Sequence, residues 1–218
     1  MKKYELTEET KVIDGKTLFR IRALRSFGDI KAGDLGGFIE NERNLSHEGN
    51  AWVEDNARVD GDARVDGDAW VGGDAWVGDN AQVGGNAQVG GDAWVDGDAW
   101  VDGNARVGDN AQVGGNAQVG GNAQVGGDAW VDGDAWVNGD GLINSNNDYL
   151  CEKGLGSHNR SASFFKCKDG HIHVLCGCFS GNLDEFENKV KEEHGNSKYA
   201  KEYLGFIEVV KTHFEVRQ

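Results

Sequence analysis

Asn86-Ala87-Gln88-Val89-Gly90-Gly91-Asp92-Ala93-Trp94-Val95-Asp96-Gly97-Asp98-Ala99-Trp100-Val101-Asp102-Gly103 says one six-residue phrase three times: Asn or Asp, Ala, a variable residue, Val, and two positions given to Gly or Asp. Outward from there Val returns as Val53, Val59, Val65, Val71, Val77, Val83, Val89, Val95, Val101, Val107, Val113, Val119, Val125, Val131 and Val137, and Ile143 takes the next place. A period of six is neither the helical 3.6 nor a heptad, but it is a multiple of the strand period of two. Within Asn86 to Val89, alternation sends Ala87 and Val89 to one side and Gln88 to the other, while Gly90 and Gly91 free the backbone for a corner.

A unit this short cannot bury its own Val, so it must stack on copies of itself, and three sides close a narrow prism filled by Val and Ala. The expected fold is an all-β solenoid, a left-handed parallel β-helix of about five triangular coils over residues 50–144. Residues 1–49 are expected to form an N-terminal β cap, and residues 145–218 a small ββαα module that caps or oligomerises. The repeat, in the order Val, Gly/Asp, any, Asn/Asp, Ala, any, resembles the signature of the hexapeptide-repeat proteins over roughly residues 50–144. Lys31-Ala32-Gly33-Asp34-Leu35-Gly36-Gly37-Phe38-Ile39, followed by Asn44-Leu45-Ser46, is similar to uncharacterised bacterial and phage members of that group.

Grouping by eighteen distributes the variable residues over three faces. One carries Trp52, Trp70, Gln88, Arg106, Gln124 and Leu142; the second Arg58, Trp76, Trp94, Gln112 and Trp130; the third Arg64, Gln82, Trp100, Gln118 and Trp136. All seven Trp are expected to point outward, with Trp52 over Trp70 and Trp76 over Trp94 ring on ring. Such an array reads either as a contact surface or as ladders that stiffen the sheets. The corners Asp60-Gly61-Asp62, Asp66-Gly67-Asp68, Asp96-Gly97-Asp98 and Asp132-Gly133-Asp134 crowd carboxylates, which calcium, raised pKa values or hydrogen bonds must offset. Asn at equivalent positions favours ordinary turn chemistry over calcium.

The formal charge is -15, and residues 50–140 hold seventeen acids against only Arg58, Arg64 and Arg106. That surface repels nucleic acid and attracts basic proteins or cations. Met1-Lys2-Lys3-Tyr4-Glu5 lacks a secretory apolar stretch and no run reaches membrane-spanning length, so a cytoplasmic protein with four reduced thiols is expected.

Val12-Ile13-Asp14-Gly15-Lys16 reads as a hairpin, and Asn182 with Glu185 as a helix-capping pair, followed by a second helix with Tyr199, Tyr203, Leu204, Ile207, Val210 and Phe214 in register. Taking Asp169-Gly170 as a two-residue loop sets Cys167 against Ile172 and Lys166 against His173. Cys167, Cys176 and Cys178 then share the apolar face while His171 and His173 take the other, which argues against zinc.

The resemblance implies acyltransferases, with a catalytic His near the coils, or carbonic anhydrases with three His on zinc. No His lies between Asn50 and Ser157, and His47 and His158 lack an evident nucleophile or carboxylate partner. No catalytic residue, metal or cofactor is expected. The leading expectation is a non-enzymatic rod that binds a basic protein through its Trp and Asp, in the form of a phage-encoded inhibitor that imitates the charge of DNA. A homo-oligomer, trimer or dimer, is expected, and a self-assembling structural β-helix protein and an acyltransferase-like enzyme are the alternatives.

Overall fold

The computed structural model describes residues 2–215; Met1 and residues 216–218, the outer ends of the two expected terminal modules, lie outside the described residues. Sixteen two-residue rungs, β4 (Trp52–Val53) through β19 (Leu142–Ile143), wind into a parallel β-solenoid. Its three walls hold the residues that the period of eighteen assigns to them: Trp52 pairs with Trp70, Arg58 with Trp76 and Arg64 with Gln82, all in parallel register. Each coil bonds the next through its outward residue, as where Trp70 N–H donates to the Ala87 carbonyl and Trp76 N–H to that of Ala93, both at 2.9 Å. Every Val and Ala of the repeat is at most 2 % exposed. Each buried Val contributes about 1.5–3 kcal/mol relative to leaving it in water.

The corners turn through left-handed residues. At Gly85 (φ 59°) an added Cβ would sit 2.8 Å from the Gly103 nitrogen of the next coil, so a side chain there requires the stack to shift and glycine is favoured. Asp55, Asp79 and Asp109 adopt the same φ, near 54°, and each carboxylate accepts from the amide of the glycine one coil on, Gly73, Gly97 and Gly127. Asp is among the few side chains that tolerate this region.

The coil count exceeds the repeat. Strand β3 (Leu35–Ile39) lies parallel to Arg58–Val59, and Leu45 bridges Val65, so each wall has six rungs and the solenoid about six turns. This first turn carries no Val-Gly-Gly phrase. Its corner is held by buried Asn44, whose amide donates to the Gly61 and Ala63 carbonyls at 3.1 and 2.8 Å. Upstream, β1 (Tyr4–Ile13) and β2 (Lys16–Ala23) form the expected hairpin about Asp14-Gly15, both left-handed as a type I′ turn requires. β2 pairs antiparallel with β3, so the wall continues into a charged outer strand that blocks the open edge.

The N-terminal mouth of the solenoid presents backbone carbonyls, and two donors close it. Tyr4 Oη donates to the Leu45 carbonyl at 2.8 Å and Lys3 Nζ to that of Ala51 at 2.7 Å. Lys3 is fully buried with its ammonium 5.0 Å from the Phe27 ring centre. Burial, reinforced by Arg25 and opposed by Asp68, lowers its pKa to about 8. An unfolded Lys stays protonated to about 10.4, so between those values the unfolded chain binds more protons and the Lys3 contribution to stability rises with pH, by up to about 1.4 kcal/mol per unit. Below pH 8 Lys3 is charged in both states and this contribution is flat. The wild-type stability minus that of Lys3→Met, from urea titrations, is therefore expected to grow from pH 8 to pH 10, the thiols and Tyr4 cancelling in the difference. A constant difference would show that Lys3 does not titrate in that window.

At the other end β20 (Tyr149–Leu155), β21 (Arg160–Lys166), β22 (Ile172–Cys176) and β23 (Phe179–Asn182) form an antiparallel sheet, followed by α1 (Leu183–His194) and α2 (Lys198–His213). Asn182 and Glu185 form the expected reciprocal cap. The expected hairpin is longer by one strand on each side. Phe164, Val174 and Cys176 pack against Phe186, Tyr203, Ile207 and Val210 of the helices, while Phe165, Cys167 and Leu175 join the solenoid core, so the sheet is a lid between rod and helices. No helix among the described residues is long and apolar enough to cross a membrane.

The hairpin register differs from the sequence reading by one residue. Lys168-Asp169-Gly170 is a three-residue loop closed by Cys167 N–H to the His171 carbonyl (2.9 Å) and Gly170 N–H to that of Cys167 (2.8 Å), with Gly170 at φ 87°. Lys166 accordingly opposes Ile172 and Phe165 opposes His173. One added loop residue moves every side chain on one strand to the other face. Cys167, His171 and His173 thus share a face, contrary to the separation of thiols from imidazoles that a two-residue loop imposes.

Candidate functional site

The wall bearing Trp94, Gln112 and Trp130 meets the wall bearing Trp100, Gln118 and Trp136 along one edge of the prism. That edge contains Trp94-Val95-Asp96-Gly97-Asp98-Ala99-Trp100 and, two coils on, the identical Trp130-Val131-Asp132-Gly133-Asp134-Ala135-Trp136. Two rungs span roughly 9.6 Å. Four indoles therefore stand in two pairs astride a row of carboxylates, 44, 48, 53 and 41 % exposed for Trp94, Trp100, Trp130 and Trp136.

The other three Trp are not free, which corrects the expectation of seven outward rings. Trp52 is 2 % exposed, because the N-terminal segment lies over it: Phe27 meets its ring edge-on at 5.4 Å, and a Cβ on Gly36 would come within 2.6 Å of it. Trp70 and Trp76 fold onto Gly72 and Gly78, where a Cβ would approach the indoles to 2.2 and 2.4 Å, and their Nε1 donate to Glu54 and Asp60 at 2.7 Å. The residue two positions on decides the outcome. Where it is glycine the indole lies down; where it is Asp96, Asp102, Asp132 or Asn138 the indole stands out. Trp76 and Trp94 meet edge to face at 5.5 Å and 85° rather than ring on ring, and Trp52 turns to Phe27 instead of Trp70.

The acids divide likewise. Asp60 is buried in an ion pair with Lys16 (2.5 Å), and Asp62 pairs with Arg43 (2.9 Å). Asp66 and Asp68 lie on the next edge, where Asp68 accepts from the Asn50 amide at 2.9 Å. Asp134 pairs with Lys153 at 2.6 Å, which holds its carboxyl below the usual range. Asp96, Asp98 and Asp132 form no salt bridge among the described residues.

Repulsion on this edge is relieved by alternation. The column Asp62, Asn80, Asp98, Asn116, Asp134 interleaves amides with carboxylates, and Asn80 and Asn116 each donate to the acid one coil on at 2.9 Å. The column Asp60, Gly78, Asp96, Gly114, Asp132 interleaves glycine. Burial, with the charges of Asp79 and Asp132, still raises the Asp96 pKa. At its C-terminal end the edge opens into a groove of about 660 Å³ between Trp130 and β20, lined also by Tyr149, Lys153 and His213.

His47 stacks on Tyr4 at 4.3 Å and its Nδ1 accepts from Lys3 N–H, so it belongs to the N-terminal closure. His158 lies on an exposed turn with Nδ1 2.9 Å from Ser157 Oγ. No family model matches the chain, and no curated protein matches it in sequence.

Proposed function

We propose that the chain is a hexapeptide-repeat β-helix, wound left-handed like the proteins its repeat resembles, that serves as a rigid docking rod for a basic partner. The observation that carries this reading is the duplicated Trp-Val-Asp-Gly-Asp-Ala-Trp edge. It offers each cation an indole face and a carboxylate together. Arg58, whose guanidinium lies 5.1 Å from the Trp76 ring centre, is an internal example of the cation–indole half of that contact. A polyproline-II segment repeats every third residue at about 9.3 Å, close to two rungs, so an extended chain with a basic residue at every third position fits both Trp pairs. Competition with nucleic acid for the same partner follows from the charge, and a phage-encoded inhibitor that imitates DNA is the form supported by the resemblance to phage repeat proteins. Four unpaired thiols support a reducing, cytoplasmic setting.

The test is titration of an oligo-arginine peptide, read by tryptophan fluorescence at low and high salt. Binding weakens with salt, and Trp100→Ala with Trp136→Ala is expected to cost about 1–2 kcal/mol per indole, roughly tenfold each. Asp96→Asn with Asp132→Asn flattens the salt dependence. Affinity unchanged in both double variants would refute the assignment of this edge.

A further inference from the structure

The three-residue loop puts Cys167 opposite His171 at the closing pair of the β21–β22 hairpin, and His173 follows on the same face opposite Phe165. Their donor atoms, one sulfur and two ring nitrogens, all lie within 4.8 Å of one another. Each imidazole is oriented through its other nitrogen: His171 Nδ1 is 2.5 Å from Asp169 Oδ1, and His173 Nε2 is 2.9 Å from Ser180 Oγ. Metal-binding imidazoles are commonly held in this way, with one nitrogen fixed by an outer partner. The cluster opens onto a hollow of about 540 Å³ lined by Asp140 and Glu185, which adds negative charge and leaves room for a fourth ligand.

From this geometry we infer a binding site for a zinc-class divalent cation at Cys167, His171 and His173, with water in the fourth position. A thiolate and two imidazoles select borderline-soft ions over calcium or magnesium. Tetrahedral zinc needs donors roughly 3.3–3.8 Å apart, so with all three donor atoms within 4.8 Å of one another no pair has to approach by more than about 1.5 Å on binding. The ion takes the place of the Cys167 thiol proton, which leaves to solvent. The site sits at the joint between rod and lid: Cys167 bridges Gly141, Lys168 N–H donates to the Asp140 carbonyl at 3.1 Å, and Lys168 Nζ donates to that of Asn122 at 3.0 Å. The bound ion therefore locks the C-terminal module onto the last coil, and its contribution appears as stability of that joint.

The full chain, stripped with chelator and titrated with Co²⁺, is expected to develop a thiolate-to-cobalt charge-transfer band that saturates at one ion per chain and disappears on adding Zn²⁺. Cys167→Ser abolishes the band, and His171→Gln and His173→Gln each weaken binding at least about tenfold. Cys178→Ser, at an exposed position, leaves it intact. Zinc raises the thermal midpoint of the wild type and of Cys178→Ser, raises it less in the two histidine variants, and leaves that of Cys167→Ser unchanged. Should Cys167→Ser fail to fold, His171→Gln at the exposed hairpin tip decides the matter alone. Absence of the band at saturating cobalt, or a band that survives both histidine variants or requires Cys178, would overturn the site.

Discussion

Val101→Asp is expected to cost more than about 4 kcal/mol and to break the rod near its middle. Val101 is fully buried between Val83 and Val119 of the neighbouring coils, in a prism lined at that height only by Ala and Val. The substitution removes a buried side chain worth about 1.5–3 kcal/mol. It also places a carboxylate where no donor is free, so the group is either ionised at a cost of several kcal/mol or protonated through a raised pKa. Each coil touches only its neighbours, so the damage cannot be shared, and the two halves are expected to lose their common cooperative transition. Urea denaturation followed by circular dichroism, with hydrogen exchange of the Val83 and Val119 amides, measures both effects. Gln88→Asp, on the outside of a wall, is expected to cost at most about 1 kcal/mol. Comparable losses at the two positions would contradict the assignment of inside and outside.

That assignment was legible in the sequence because the repeat is strict: a single error of one residue would have turned every Val outward. The first turn was not legible, because Phe38, Ile39 and Leu45 carry no repeat and their corner is held by the long-range bonds of Asn44. Strands β20 and β23 were missed for a related reason, since each is recognisable only through its partner in the sheet. The hairpin tip shows how little separates two readings. Asp169-Gly170 fits a two-residue loop as well as the last two positions of a three-residue loop, and the choice decides whether Cys167 meets Ile172 or His171. Ring exposure, by contrast, had a readable signal. Trp-Val-Gly at Trp70 and Trp76 and Trp-Val-Asp at Trp94, Trp100 and Trp130 already separate the half-buried indoles from the exposed ones.

Trimming the chain to residues 50–144 is expected to convert it into head-to-tail filaments. The two mouths of the solenoid differ in polarity, because each outward N–H donates to the coil that follows. The N-terminal mouth is left mainly with the carbonyls of Ala and Val, two of its carbonyls being closed by the donors Lys3 and Tyr4. The C-terminal mouth is left mainly with N–H groups, two of which are closed by acceptors: Trp130 N–H donates to Asn146 Oδ1 at 2.7 Å, and Trp136 N–H to Ser163 Oγ at 2.8 Å. These two side-chain oxygens stand where a seventh coil would place its alanine carbonyls. With both closures gone, the ends are complementary and carry exposed Val and Ile, so stacking is heterologous and does not close into a ring. Removing residues 145–218 alone leaves the carbonyl end covered, and growth stops. Carboxylates on neighbouring molecules repel, so filaments form at high salt and not at low. Electron microscopy and a fibre-diffraction spacing near 4.8 Å provide the measurement. A doubly trimmed rod that stays monomeric at high salt and high concentration would mean that the two closures are not what keeps the coils from stacking.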